Sequence, residues 1–208
     1  MARRNDHAPD ELRRLAREAA GAVAREEGLR GLTVRRVAER IGYTPGTLYN
    51  LFANLDDLIV HVNGDTLDRL DAALKAAGAS LPAERRARLV DAYFDFVEAD
   101  PLLWSLLFEH RLPAGAELPD WYKATLDRLI DNVVAALAPL MEAWPSPEAR
   151  RMTVVALWAA LHGISTLAVS RKLTLVAAVP PRALGHLLVE RMIAAGPAPA
   201  SPPPVTLS

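Results

Sequence analysis

Cysteine is absent from the 208 residues. That excludes disulfides, cysteine-ligated zinc and thiol nucleophiles, and it is compatible with a reducing compartment. Period-two alternation of useful length is also missing. The stretch 176–180 is too short for a strand and ends in proline, so no sheet is expected. There is no glycine-rich phosphate loop and no G-x-S-x-G elbow, and Glu109-His110 are neighbours that do not face each other on a helix. Enzyme chemistry therefore has little to stand on. The five histidines, His7, His61, His110, His162 and His186, are scattered. Only His61 has carboxylates at helical spacing, Asp57 and Asp65, on a face expected to be solvated. No metal and no cofactor are expected. The first fourteen residues, MARRNDHAPDELRR, hold no apolar run, so a secretory leader is not expected there. No internal repeat is found.

Apolar residues are abundant instead, at 51%, with a mean hydropathy of +0.09. That is high for a soluble monomer and points to a large covered oligomer interface. Net charge is −1, but it is unevenly placed. Residues 1–50 carry ten Arg against seven Asp or Glu; residues 51–208 carry fourteen Lys or Arg against eighteen acids. A basic head on an acidic body suits a chain that presents one end to a polyanion. From Met152 to Ser170 there is no formal charge, and the length approaches the ~20 residues a bilayer needs. His162, Thr166 and Ser170 recur every four residues, with Ser165 beside them. That polar stripe favours a helix at a subunit interface over a membrane span.

Apolar spacing reads almost entirely as helix, giving an all-α fold of about nine helices. Three short ones lead, and a larger bundle follows. Leu12, Leu15, Ala16, Ala19 and Val23 form the first stripe, ending near Gly28. Val34, Val37, Ala38 and Ile41 form the second, with Thr33 as N-cap and Gly42 as stop. Thr44-Pro45 opens a third, carrying Leu48, Tyr49 and Phe52. Asn54 caps a fourth. Further helices are expected around Leu89–Val97, from Pro101, over 118–144 with a kink at Pro139, over 147–171 behind a Ser146-Pro147 cap, and over 181–195. His110–Glu117 reads as a loop. The tail from 196 to 208 is proline-rich and expected to be disordered.

Residues 34–53 have the pattern of a helix-turn-helix. Ala38 is small where two helices must cross. Gly42 tolerates the positive φ of the turn. Val37, Ile41, Tyr43, Leu48 and Leu51 sit where the two helices need apolar contacts. The second helix opens with Thr44, Pro45, Gly46 and Thr47, small residues that let backbone approach DNA. Its start also brings free N–H groups and the positive dipole end to phosphates.

Over Leu32–Ile59, LTVRRVAERIGYTPGTLYNLFANLDDLI, the chain strongly resembles the TetR family of bacterial repressors. The family pattern stands here as Thr33, Ala38, Gly42, Gly46, Thr47, Leu48, Tyr49 and Phe52. The resemblance implies a three-helix DNA-binding head at 1–54 and a body at 55–195 that binds a ligand and dimerises. It further implies that Thr33, Arg35, Thr44, Pro45, Gly46, Thr47, Tyr49 and Asn50 meet DNA, with Arg3, Arg4, Arg13 and Arg14 as further candidates for the backbone or minor groove. One position departs from the family. A lysine usually follows the Phe, and Leu55 stands in its place, which removes one phosphate contact and predicts weaker or less salt-sensitive binding.

Asp91–Glu109 and the Trp158, His162, Gly163 signature extend the resemblance into the body. Gly163 is expected to allow close helix approach. Trp158 is read as core or pocket, and His162 as either a satisfied buried histidine or a ligand-contacting, pH-sensing one. The helices at 147–171 and 181–195 are, by resemblance, a homodimer interface forming a four-helix bundle across a two-fold axis, which implies a palindromic double-stranded DNA operator. An effector pocket is expected among the fourth helix and the helices at 83–144. Its candidate residues are Tyr93, Phe96, Trp104, Phe108, His110, Trp121, Tyr122, Trp158 and His162, which fit an apolar or aromatic small molecule. The resemblance places the protein in the cytoplasm at the nucleoid, not in a membrane. An activator, or a DNA-binding adaptor without an effector, is the alternative.

Overall fold

Six of the nine α-helices found among the described residues begin at a proline. Proline lacks an N–H that the first helical turn does not need, and its φ is already helical. The computed structural model describes residues 7–176 and 178–196. Arg3, Arg4 and the tail beyond Gly196 lie outside the described residues. The helices are α1 (Pro9–Gly31), α2 (Val34–Ile41), α3 (Pro45–Tyr49), α4 (Leu55–Gly78), α5 (Pro82–Ala99), α6 (Pro101–Glu109), α7 (Asp120–Leu137), α8 (Pro147–Val169) and α9 (Pro181–Ala195). No strand occurs among the described residues.

Three expectations are corrected. The first helix is not short: α1 has 23 residues, because the chain resumes helix after a break at Gly28, where φ is 66°. Pro139 does not kink a helix running to Trp144. It lies in a single 3-10 turn, Ala138–Leu140, after α7 has ended at Leu137. The missing N–H and the ring's clash with the preceding turn stop the helix there. Finally, α8 ends at Val169, short of Arg171, which is left-handed at φ 57°.

The described residues form two compact units. The first comprises 7–76 and 92–129. Its core joins α1, α2 and α3 to the start of α4 and to α6. Ala16, Ala20, Val23, Val37, Ala38 and Leu48 are buried together with Leu58, Ile59, Leu103 and Leu106. The apolar interior of the head therefore continues into α4 and α6. Burying one of these Val, Leu or Ile side chains is worth roughly 1.5–3 kcal/mol. Asp100 fastens this packing from outside, accepting from Arg25 of α1 at 3.1 Å and Arg69 of α4 at 3.3 Å.

The second unit comprises 77–91 and 130–196. Here α8 and α9 pack through Val154, Leu157, Leu161, Val189 and Ile193. Trp144 is buried and donates its indole N–H to Thr153 at 2.9 Å. Asp91 receives both Arg182 (3.3 Å) and His186 (2.9 Å) of α9. Ser146 caps α8 as expected, accepting from the Ala149 N–H. Among the described residues, α8 is the one helix long and apolar enough to cross a membrane.

Candidate functional site

The turn of the helix-turn-helix is built from short-range rules. Thr33 is extended and its side chain accepts from the Arg36 N–H at 3.2 Å, capping α2. Gly42 adopts φ 77°, and the Tyr43 N–H then closes onto the Ala38 carbonyl at 2.9 Å. Ala38 and Val37 are completely buried, and Leu48 and Phe52 nearly so. Ile41, Leu51 and Leu55 complete the apolar contacts. Tyr43 is held by a residue that sequence reasoning passed over: the His7 ring nitrogen lies 2.8 Å from its hydroxyl.

What remains outside this core is the tip. Thr44, Pro45, Gly46, Tyr49 and Asn50 are exposed, and Thr47 partly so. Tyr49 keeps 58% of its surface, a large exposed aromatic beside a buried Leu48. Thr44 precedes α3, but its side chain does not cap the helix. Its hydroxyl instead lies 3.2 Å from that of Thr47. Pro45 brings no N–H to the first turn of α3, and the Thr47 N–H donates to the Thr44 carbonyl at 3.0 Å.

Most arginines of the head are partnered. Arg35 donates to Glu39 at 2.8 Å, Arg36 to Glu27, and Arg40 to Glu26 through both terminal nitrogens. These hydrogen bonds raise the guanidinium pKa values further, and Arg40 lowers that of Glu26. Exposed pairs of this kind contribute little to stability. Arg35 is still 83% exposed at its side chain. Arg13 donates to the Leu51 carbonyl at 3.3 Å, and Arg14 to Glu18 at 2.7 Å.

The junction to α4 is a reciprocal cap. Asn54 accepts from the Asp57 N–H at 2.8 Å, and Asp57 accepts from the Ala53 N–H at 2.9 Å. Leu55, where a lysine was expected by resemblance, packs against the buried core of the head. His61 is not on a solvated face. It stacks on Trp121 at 4.9 Å and meets the edge of Phe52 at 5.6 Å. Gly64 permits this arrangement, because a Cβ there would lie 2.6 Å from the Trp121 ring. Burial pushes the His61 pKa down.

In the first unit, a cavity of about 480 Å³ opens between α4, the end of α6, the loop 110–119 and the start of α7. Its walls are Val60, Asn63, Leu107, His110, Arg111, Leu112, Ala116, Leu118 and Tyr122. Of the nine effector-pocket candidates, only His110 and Tyr122 line it. Tyr93, Phe96, Trp104 and Phe108 form their own edge-to-face cluster instead, with centroids 5.3–6.1 Å apart around Trp104. Trp121 is committed to His61. Trp158 and His162 belong to the second unit and stack on each other at 6.0 Å.

On α8 the polar stripe is largely satisfied within the helix. Ser165 donates to the His162 carbonyl at 2.9 Å and Ser170 to that of Thr166 at 2.8 Å. The Thr166 hydroxyl lies 3.3 Å from the His162 ring. Burial lowers the His162 pKa. Gly163 shows no close approach among the described residues, where a Cβ would meet nothing within 4 Å. The two helices also carry exposed apolar side chains: Met152, Val155 and Leu167 on α8 and Leu187 on α9.

A tight turn between short helices, with an exposed second helix on a helical body, defines a helix-turn-helix DNA-binding regulator. Comparison with known proteins agrees. Residues 16–62 match the family model described as bacterial regulatory proteins, tetR family, and residues 86–194 match a tetracyclin repressor-like C-terminal domain. The chain belongs to the TetR family of transcriptional regulators. Solved structures with the same fold include a protein of unknown function from Rhodococcus sp. RHA1, with 21% identity, TM-score 0.72 and coverage of 94% of this chain and 98% of that one. The fatty acid degradation regulator FadR from Bacillus halodurans is 19% identical, with TM-score 0.65 and coverage of 86% and 97%. The multidrug binding protein EbrR, complexed with imidazole, is 26% identical, with TM-score 0.60 and coverage of 97% and 100%. Among curated protein sequences none matches the chain significantly.

Proposed function

We propose that this regulator is a ligand-responsive repressor that binds a palindromic operator as a homodimer, in the cytoplasm at the nucleoid. The observation that carries the reading is the tip of α3, where Thr44, Pro45, Gly46, Tyr49 and Asn50 stand exposed on a fully packed turn. In this reading residues 1–54 are the DNA-binding head. Thr47, Asn50 and the backbone at Gly46 face base edges and phosphates, and Tyr49 gives its hydroxyl to a phosphate. Thr33 and Arg35 flank them at the start of α2. Residues 55–195 carry the effector cavity and the dimer surface.

Dimerisation is supported by the exposed apolar side chains of α8 and α9. Met152 is 73% exposed and Leu187 50%. A patch of this kind on helices with few charges marks an interface, and a second copy related by a two-fold axis covers it with itself. The open space over Gly163 suits such a close helix contact. Effector response requires a ligand that prefers one head arrangement over another, because only differential affinity shifts an equilibrium. The cavity supports that part of the reading, and the multidrug binding protein EbrR has the same fold. Footprinting on the chain's own upstream DNA, with and without candidate effectors, tests the proposal. Protection of an inverted repeat that weakens on effector addition is expected. Protection insensitive to every effector and lacking two-fold symmetry contradicts it.

A further inference from the structure

The cavity between α4, α6 and α7 has an unbalanced chemistry. Five of its nine walls are aliphatic: Val60, Leu107, Leu112, Ala116 and Leu118. Its one formally charged residue is Arg111, and no carboxylate lines it. Arg111 makes no ion pair among the described residues, unlike most arginines of the head. Beside it stands His110, whose ring already touches Asp56 through one nitrogen. The Asn63 side chain borders the same space, buried, and its Oδ1 has no hydrogen-bond partner among the described residues. That oxygen only accepts, so it is not the group that receives a carboxylate.

We propose that the cavity takes a small amphipathic monoanion, a carboxylic acid with an apolar tail, its carboxylate received by Arg111 beside His110 and its tail lying along the aliphatic wall. This rests on the reading of the chain as a ligand-responsive regulator and names the class of effector. Arg presents a planar fork of donors that matches a carboxylate. A cationic ligand would meet Arg111 with no acid to receive it. A multiply charged ligand would have one cation for several charges. Tyr122 adds no negative charge, because burial holds its pKa at about 12 and the phenol stays a neutral donor. The volume, about 480 Å³, falls within the ~300–1,000 Å³ common for small-molecule sites. The acid has room for a tail of medium length.

Calorimetry on the full-length protein without DNA tests this. The probes are octanoate and 4-phenylbutanoate, each with its primary amide and primary amine. At least one acid is expected to bind, with its amide about tenfold or more weaker and its amine not binding. Arg111→Gln is expected to weaken the acid by about tenfold or more while leaving the amide within about twofold. Unchanged thermal unfolding of Arg111→Gln, an exposed position, separates lost binding from lost folding. Failure of both acids to bind, equal binding of amide or amine, or an Arg111→Gln protein with unaltered acid affinity overturns the proposal. The underlying reading fails separately. Acid binding with no specific DNA site contradicts the regulator reading and supports this inference. Operator release by a neutral or cationic effector, with no acid bound, supports the regulator reading and overturns this one.

Discussion

The His110 ring nitrogen Nε2 lies 2.8 Å from the Asp56 carboxylate, joining two residues 54 positions apart. His110 is a wall of the cavity, and Asp56 is in the first turn of α4, two residues after the Asn54 cap. In the proposed reading, the contact ties the cavity to the helix that follows the helix-turn-helix. His110 is almost fully covered at its side chain. Replacing it with Ala is expected to cost about 1 kcal/mol of stability, the loss of one hydrogen bond whose partner, Asp56, stays partly solvated. It is also expected to reduce the effect of an effector on operator affinity more than operator affinity itself. Urea unfolding and anisotropy titrations with labelled operator measure both. Unchanged coupling in a folded His110→Ala protein contradicts the tie.

The tip of α3 makes no claim on stability. Tyr49→Phe and Asn50→Ala are expected to leave thermal unfolding nearly unchanged and to lower operator affinity by about three- to thirtyfold each, the loss of a hydrogen bond to a phosphate or base. Gly42→Ala behaves oppositely. Among the described residues nothing lies within 4 Å of a Cβ there, so no clash arises, but φ is +77°. The backbone strain alone is expected to cost about 1 kcal/mol. A destabilised Tyr49→Phe, or a neutral Gly42→Ala, shows that these roles are assigned the wrong way round.

Leu55 separates two effects that the resemblance combined. Leu55→Lys adds a cation beside the DNA-facing surface, so the dependence of log K on log salt is expected to steepen by about one unit per subunit. Because Leu55 packs on the core of the head, the variant is also expected to unfold at lower temperature. An unchanged salt slope removes Leu55 from the DNA-facing surface.

His61 gives a pH signature with a definite sign. Burial lowers its pKa below the ordinary 6.5, partly offset by Asp57. The unfolded chain then binds the proton first as pH falls. Stability is therefore full above about 6.5 and is lost as pH falls from there through the lower folded-state value. His162 acts in the same direction for the same reason. His61→Phe keeps the stack on Trp121 and is expected to flatten the decline. A Tm that falls with acid by the same amount in wild type and His61→Phe assigns the slope elsewhere.

What the sequence made legible is what short-range rules control. Thr33, Gly42, Asn54 and the Ser146-Pro147 pair are caps and stops whose partners lie within four residues, and each acts as expected. The same rules misplaced Pro139, because they do not say whether a following segment has a reason to resume the helix. Contacts across the fold were not legible. His7 reaches Tyr43, His110 reaches Asp56 and His61 reaches Trp121 over 36, 54 and 60 positions. The cavity illustrates the cost. Residue type favoured aromatics as its walls, yet Trp104 and its neighbours satisfy one another in a separate cluster. Asn63, Arg111 and the aliphatic wall carried no local signal.

Selection of bound sites from random DNA, using the full-length protein, tests the central claim most directly. An inverted repeat is expected, with half-sites about one helical turn apart or a multiple of it. Met152→Asp, which puts a charge on the exposed apolar face of α8, is further expected to yield a monomer that no longer enriches that repeat. Recovery of sequences without symmetry, bound with a steep salt dependence and no preference, would contradict the claim.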